Sequence, residues 1–171
     1  MHFLLDPAFY HKLLVPRLVG PGLAADVFSG GDKENLLFMG PIGGYTGQLW
    51  RFTPTGEGGY LLSTLFRGPA YAASIDAEAA DFGAVRLTRD RTRAQPWGVE
   101  PIEGPESFAV LPGNDAPFAR AGYVRLTTRI RDEDWSLDLS VGGEAFMPTL
   151  AARGSGPGQA WLLARTEARV A

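Results

Sequence analysis

The chain has 171 residues, 45% of them hydrophobic, and no cysteine, so disulfides and thiolate metal sites are excluded and packing must hold the fold. Lysine and arginine number 16 against 19 aspartates and glutamates, a net charge of -3 that supplies no field for nucleic acid; no such partner is expected. No apolar run approaches the ~20 residues of a membrane-spanning helix. Asp6, Pro7 and His11 interrupt the first apolar residues, so no signal peptide and a cytoplasmic location by default are expected.

In chain order, short runs of alternating or β-branched character predict strands over 13–18, 36–39, 48–52, 60–66, 85–88, 108–111, 123–129, 136–139 and 160–164. The 22 glycines and 13 prolines are spread between these runs, as many short strands joined by turns require. Helix signals are poor. The best stretch, 72–82, is rich in alanine, lacks a broad face of large residues and ends at Gly83. Asp132, Glu133 and Asp134 read as a solvated hairpin turn, since adjacent carboxylates diverge and lack a cation-binding loop spacing.

A repeat organises these strands. Gln48-Leu49-Trp50, Gln95-Pro96-Trp97 and Gln159-Ala160-Trp161 share the pattern Gln-x-Trp and use three of the four tryptophans. Upstream of each, 20–27, 68–75 and 132–139 superpose without gaps and bring Asp26, Ser74 and Asp138 to one position. The separations to the glutamine are 22, 21 and 21 residues, and 59–68 likewise faces 122–131. Three units follow, about 10–55, 56–100 and 122–166, in one domain spanning 1–171. The glutamines of units two and three stand further apart than those of units one and two, which places an insertion at about 101–121, rich in proline and glycine. A threefold repeat buries its large residues towards a common centre, so Trp50, Trp97 and Trp161 are expected in the core. Each glutamine is expected to tie the preceding loop backbone.

Three Gln-x-Trp repeats, two of them preceded by an Asp-Val or Asp-Leu step, resemble the ricin-type β-trefoil lectin family over about residues 13–164. The resemblance implies an all-β fold, a β-trefoil in which six strands close a barrel and three hairpins cap it. It implies a non-enzymatic carbohydrate-binding module with glycans or glycoconjugates as partners, recognising galactose-like sugars weakly through units one and three. In that family the aspartate accepts hydrogen bonds from sugar hydroxyls, an aromatic ring stacks on the sugar, and a polar residue at the glutamine completes the pocket. Asp26, Phe38, Tyr45 and Gln48 carry these roles in unit one, and Asp138 and Gln159 in unit three. Unit three has Thr149 at the position of Phe38, with Phe146 and Trp135 as the nearby rings. Unit two departs from the pattern at Ser74, and Asp76 reaches the site only through a bulge, so the second site is expected to be lost.

Gly47, Ala94 and Gly158 stand where sugar-binding units often carry an asparagine. This departure sustains an alternative, a trefoil scaffold that has lost sugar binding and serves protein interaction or regulation. No catalytic constellation is legible. The two histidines, His2 and His11, lie near the start, no nucleophile elbow, phosphate loop or zinc motif occurs, and no cofactor or metal is expected. Arg86, Arg89, Arg91 and Arg93 alternate along one run and read as a solvent-facing strand and loop, with contact to phosphate or an acidic polymer as the alternative.

Overall fold

A computed structural model of the chain describes residues 5–15, 22–75, 83–102, 120–139 and 146–171. Among them are twelve strands: β1 Phe9–Leu14, β2 Leu23–Val27, β3 Leu37–Pro41, β4 Trp50–Pro54, β5 Tyr60–Thr64, β6 Ala72–Ile75, β7 Val85–Thr88, β8 Gly98–Pro101, β9 Arg120–Ile130, β10 Glu133–Asp138, β11 Thr149–Ala152 and β12 Trp161–Arg169. Antiparallel pairing runs from β8 through β9, β12, β1 and β4 to β5. The ring closes where Tyr60 at the start of β5 exchanges two backbone hydrogen bonds of 2.8 Å with Trp97, one residue before β8. Six strands therefore form a barrel without free edges.

The remaining strands form three hairpins, β2–β3, β6–β7 and β10–β11, one to each repeat. A six-stranded barrel with three hairpins is a β-trefoil, as expected. Trp50, Trp97 and Trp161 are each at most 1% exposed and share one core with Leu13, Val15, Phe52, Leu62, Val124, Leu126 and Leu163. Removing one such ring from a close-packed centre costs about 3–5 kcal/mol. Among the described residues, no helix is long and apolar enough to cross a membrane.

The hairpin strands β2 and β6 were not visible as alternating runs. All four residues of β6, and four of the five in β2, are buried, so no polar face alternates with an apolar one. The alanine-rich stretch weighed as a helix opens in strand β6 instead, because small side chains let the hairpin lie close to the barrel. β8 and β11 were also missed; β8 has no fully buried residue and so no apolar stripe. Gln48, expected in a strand, sits in a 3-10 turn over Thr46–Gln48, and β4 begins at Trp50. The acidic cluster straddles a turn. Arg131 and Asp132 take φ values of 50° and 67°, the paired left-handed conformation of a tight hairpin, and β10 starts at Glu133. The expected strand at 108–111, most of the insertion, Asp76 and His2 lie outside the described residues.

Candidate functional site

The geometry of unit one starts from its tryptophan. Trp50 packs in the barrel and donates its indole N–H to the Ala25 carbonyl at 2.9 Å, which fixes β2 immediately before Asp26. Asp26 lies directly opposite Phe38 in the β2–β3 pairing. The 3-10 turn then brings Gln48, fully buried, beneath both strands.

Gln48 uses its whole hydrogen-bonding capacity. Its Nε2 donates to the Pro41 carbonyl at 2.7 Å and to Asp26 Oδ2 at 3.1 Å. Its Oε1 accepts from the Gly43 N–H at 3.1 Å and from Lys12 Nζ at 3.5 Å. The reverse orientation of the amide would set donors against donors, so the network fixes it. Lys12 also donates to the Gly43 carbonyl at 2.6 Å. Burial pushes the Lys12 ammonium below the ordinary lysine range, and the Asp26 charge partly opposes that shift. The glutamine thus ties the loop before it, as its chemistry predicted, and also positions the carboxylate.

Asp26 is 8% exposed. Oδ1 accepts the Val27 N–H at 2.8 Å and Oδ2 accepts from Gln48, which uses two of about four lone-pair positions on the carboxylate. The carboxylate forms part of the wall of an open cavity of about 380 Å³, with Phe28, Phe38, Tyr45, Gly47 and Phe66 around it. Phe28 stacks on Phe38 with centroids 4.2 Å apart and planes 23° from parallel. Tyr45 is 60% exposed and Phe66 40% exposed. Three glycines make room: a Cβ on Gly40 would press on the Phe38 ring, one on Gly43 would press on the Tyr45 ring, and one on Gly47 would overlap Asp26 Oδ1. Gly47 is therefore the space into which the carboxylate folds. Asparagine there would displace Asp26 from its present position.

Unit three repeats the polar half of this arrangement. Gln159, in a 3-10 turn over Pro157–Gln159, donates to Asp138 Oδ2 at 3.0 Å and to the Ala152 carbonyl at 3.0 Å, and its Oε1 accepts the Gly154 N–H at 2.9 Å. Trp161 donates to the Leu137 carbonyl at 2.9 Å, and a Cβ on Gly158 would overlap Asp138 Oδ1. The aromatic half differs. Thr149 lies opposite Asp138, where unit one has Phe38. Trp135, three residues before Asp138, projects from the other face of β10 and packs against the core. Phe146 is exposed, at a φ of 46°.

Unit two lacks the carboxylate network. Ser74 donates to the Arg93 carbonyl at 2.7 Å, and Gln95 accepts from Thr128 Oγ1 at 3.4 Å instead of reaching Ser74. The Ala73 carbonyl, equivalent to those that take an indole N–H in the other units, accepts the Gln95 backbone N–H at 3.1 Å. Among the described residues, the Trp97 indole nitrogen has no hydrogen-bond partner. Arg86, Arg89, Arg91 and Arg93 are exposed on β7 and the segment after it.

The structure thus brings Asp26, Phe38, Tyr45 and Gln48 together, and separately Asp138 and Gln159. Sequence reasoning missed Phe28, Phe66 and Lys12. Phe28 was recoverable, because two residues after Asp26 a strand presents the same face again. Phe66 comes from the connection after β5, in the next unit, and Lys12 from β1; the pairing of β4 with β5 and with β1 brings them near. Among the described residues, no three histidine, aspartate or glutamate side chains converge as metal ligands would.

The class the architecture defines is the β-trefoil. Solved structures of similar shape include a designed 3-fold symmetric protein, ThreeFoil, with 18% identity and a TM-score of 0.63 over 93% of this chain and 99% of that one. They include a ricin B-like lectin from Macrolepiota procera in complex with lactose, with 18% identity and a TM-score of 0.65 over 96% of this chain and 100% of that one. The Rhizoctonia solani agglutinin matches with 15% identity and a TM-score of 0.64 over 96% and 100%. No protein-family model and no curated protein matches the sequence.

Proposed function

We propose that the protein is a non-enzymatic carbohydrate-binding module of the ricin B-like kind, with its principal site in the unit-one cavity. The observation that carries this reading is a carboxylate with unused lone pairs set in the wall of an open cavity lined by four aromatic rings. Such a site suits a sugar: adjacent hydroxyls donate to the carboxylate while the apolar face of the ring lies on an aromatic side chain. Asp26 is the anchor, Phe38 and Tyr45 are the stacking surfaces, joined by Phe66, and Gln48 holds the carboxylate. The likeness to a lectin solved in complex with lactose supports a galactose-like ligand. Asp138 and Gln159 form a second, weaker site without a stacking ring opposite the aspartate. Several weak sites act together through avidity on a multivalent glycan.

A second reading, a trefoil that has lost sugar binding and serves protein interaction, is favoured by a specific observation: Asp26 is mostly buried and accepts from its neighbour's backbone N–H. A glycan array followed by calorimetric titration with lactose separates the two. The first reading expects binding in the micromolar to millimolar range that Asp26→Ala removes. Silence across the array, with folding intact, would sink it in favour of the second.

A further inference from the structure

The wall of the unit-one cavity continues outward along a chain of stacked aromatic and guanidinium groups. Phe66, at the rim, is covered by the Arg67 guanidinium at 4.4 Å from its centroid. Arg67 lies 5.8 Å from the Tyr71 ring, and Arg89 lies 5.0 Å from that same ring. Tyr71 is half-buried against the core, so it is a fixed plate. Arg67 is neutralised by Glu34 at 2.7 Å and donates to the carbonyl of Ser29, itself a cavity residue. Arg89 is different: it is exposed, and no described residue supplies it with a carboxylate. Among its neighbours in the run, Arg91 donates to the Pro69 carbonyl and Arg93 faces Asp90 at 3.8 Å. Moving away from the cavity along this chain, Arg89 is therefore the first positive charge without a carboxylate partner among the described residues.

We infer that the unit-one site takes an acidic oligosaccharide, with a neutral sugar in the cavity and a carboxylate- or sulfate-bearing sugar further along the chain paired with Arg89, whose guanidinium Tyr71 supports. This rests on the carbohydrate reading of the cavity and adds the charge of the ligand to it. A guanidinium stacked on an aromatic plate suits the role, because part of its ordering cost is met before the anion arrives and its fork of donors matches a planar carboxylate. Unit two, whose own carboxylate position is Ser74, contributes this arm instead of a separate pocket.

Titration of the wild-type chain with lactose, lacto-N-tetraose and the 3′-sialylated form of each tests the inference. At low salt at least one sialylated sugar should bind about three- to fivefold tighter than its neutral parent, the size expected of one exposed ion pair. That advantage should shrink at higher salt while neutral binding does not. Arg89→Gln should bring the acidic sugar to the affinity of its neutral parent, and Asp26→Ala should remove binding of all four. Equal affinity for acidic and neutral forms overturns the inference and leaves the carbohydrate reading standing. Acidic binding that survives Asp26→Ala overturns it too, in favour of an anion site unconnected with the cavity. Binding of none of the four, by a folded chain, removes the reading on which it rests.

Discussion

Gly47 and Asp26 occupy the same space, and a mutant cycle measures this directly. Gly47 has no left-handed φ, so its backbone accepts alanine; the overlap of the new Cβ with Asp26 Oδ1 is the main obstacle, with a tight contact to Val27 Cγ2 at 3.3 Å beside it. The carboxylate must rotate, which breaks its bonds to the Val27 N–H and to Gln48 Nε2. Bonds to a charged group contribute about 1.5–3 kcal/mol each. Rotation towards the open cavity lets water replace part of this, and the lower chain entropy of alanine offsets ~0.4–1 kcal/mol more. Gly47→Ala should therefore cost about 2 kcal/mol. Asp26→Ala alone costs a similar amount, because two buried donors lose their acceptor. In the Asp26→Ala background the overlap is gone and only the Val27 methyl must give by a few tenths of an ångström, so Gly47→Ala should be near neutral, a coupling of about 2 kcal/mol. Urea unfolding of the four proteins, with unchanged denaturant slopes, reads this out. A Gly47→Ala cost that is the same in both backgrounds would refute the overlap.

Three further outcomes follow from the same geometry. Trp50→Phe and Trp161→Phe each remove a donor from a backbone carbonyl, at Ala25 and Leu137, whereas the Trp97 indole nitrogen has no partner to lose among the described residues. Trp97→Phe should cost about 1 kcal/mol less than either in denaturant melts. Gln48→Ala removes an amide that bonds four groups, whereas among the described residues the Gln95 side chain makes one bond, at 3.4 Å, so the first should destabilise by about 2 kcal/mol more than Gln95→Ala. His11, 1% exposed and set edge-on to Phe52, has its imidazole pKa lowered to about 4, mainly by burial. The folded-state value lies below the unfolded one, so this contribution is full above about pH 6.5 and is lost as pH falls towards 4. Its size is about 3 kcal/mol, and His11→Leu should flatten stability against pH across that window.

The threefold plan was legible because the symmetry repeats large residues. Three tryptophans at equivalent places must share one centre, and Gln48 and Gln159 recur with their aspartates because the same corner is built twice. The hairpins were less legible. β2 and β6 are short, rich in alanine and buried on both faces, so they show no period of two. Of the site, the residues on the repeated corner could be read from spacing alone. Phe66 and Lys12 could not, since a neighbouring unit supplies one and the adjacent barrel strand β1, 36 residues before Gln48, the other. The glycines before the glutamines carried the least obvious information. At Gly47 an aspartate folds in, and at Gly158 an aspartate and the Leu139 carbonyl do, a reason that appears only once the neighbouring atoms are set side by side.

The central claim is that the unit-one cavity holds a sugar against Asp26. The most direct measurement is a two-dimensional amide NMR titration of the isotope-labelled chain with lactose, repeated on Asp26→Ala. Binding there predicts saturable shifts concentrated at Asp26, Phe28, Tyr45 and Gly47, with smaller ones around Asp138 and Gly158, and loss of the first set in the variant. A spectrum unmoved at the cavity by saturating lactose, or shifts there that persist in Asp26→Ala, would contradict it.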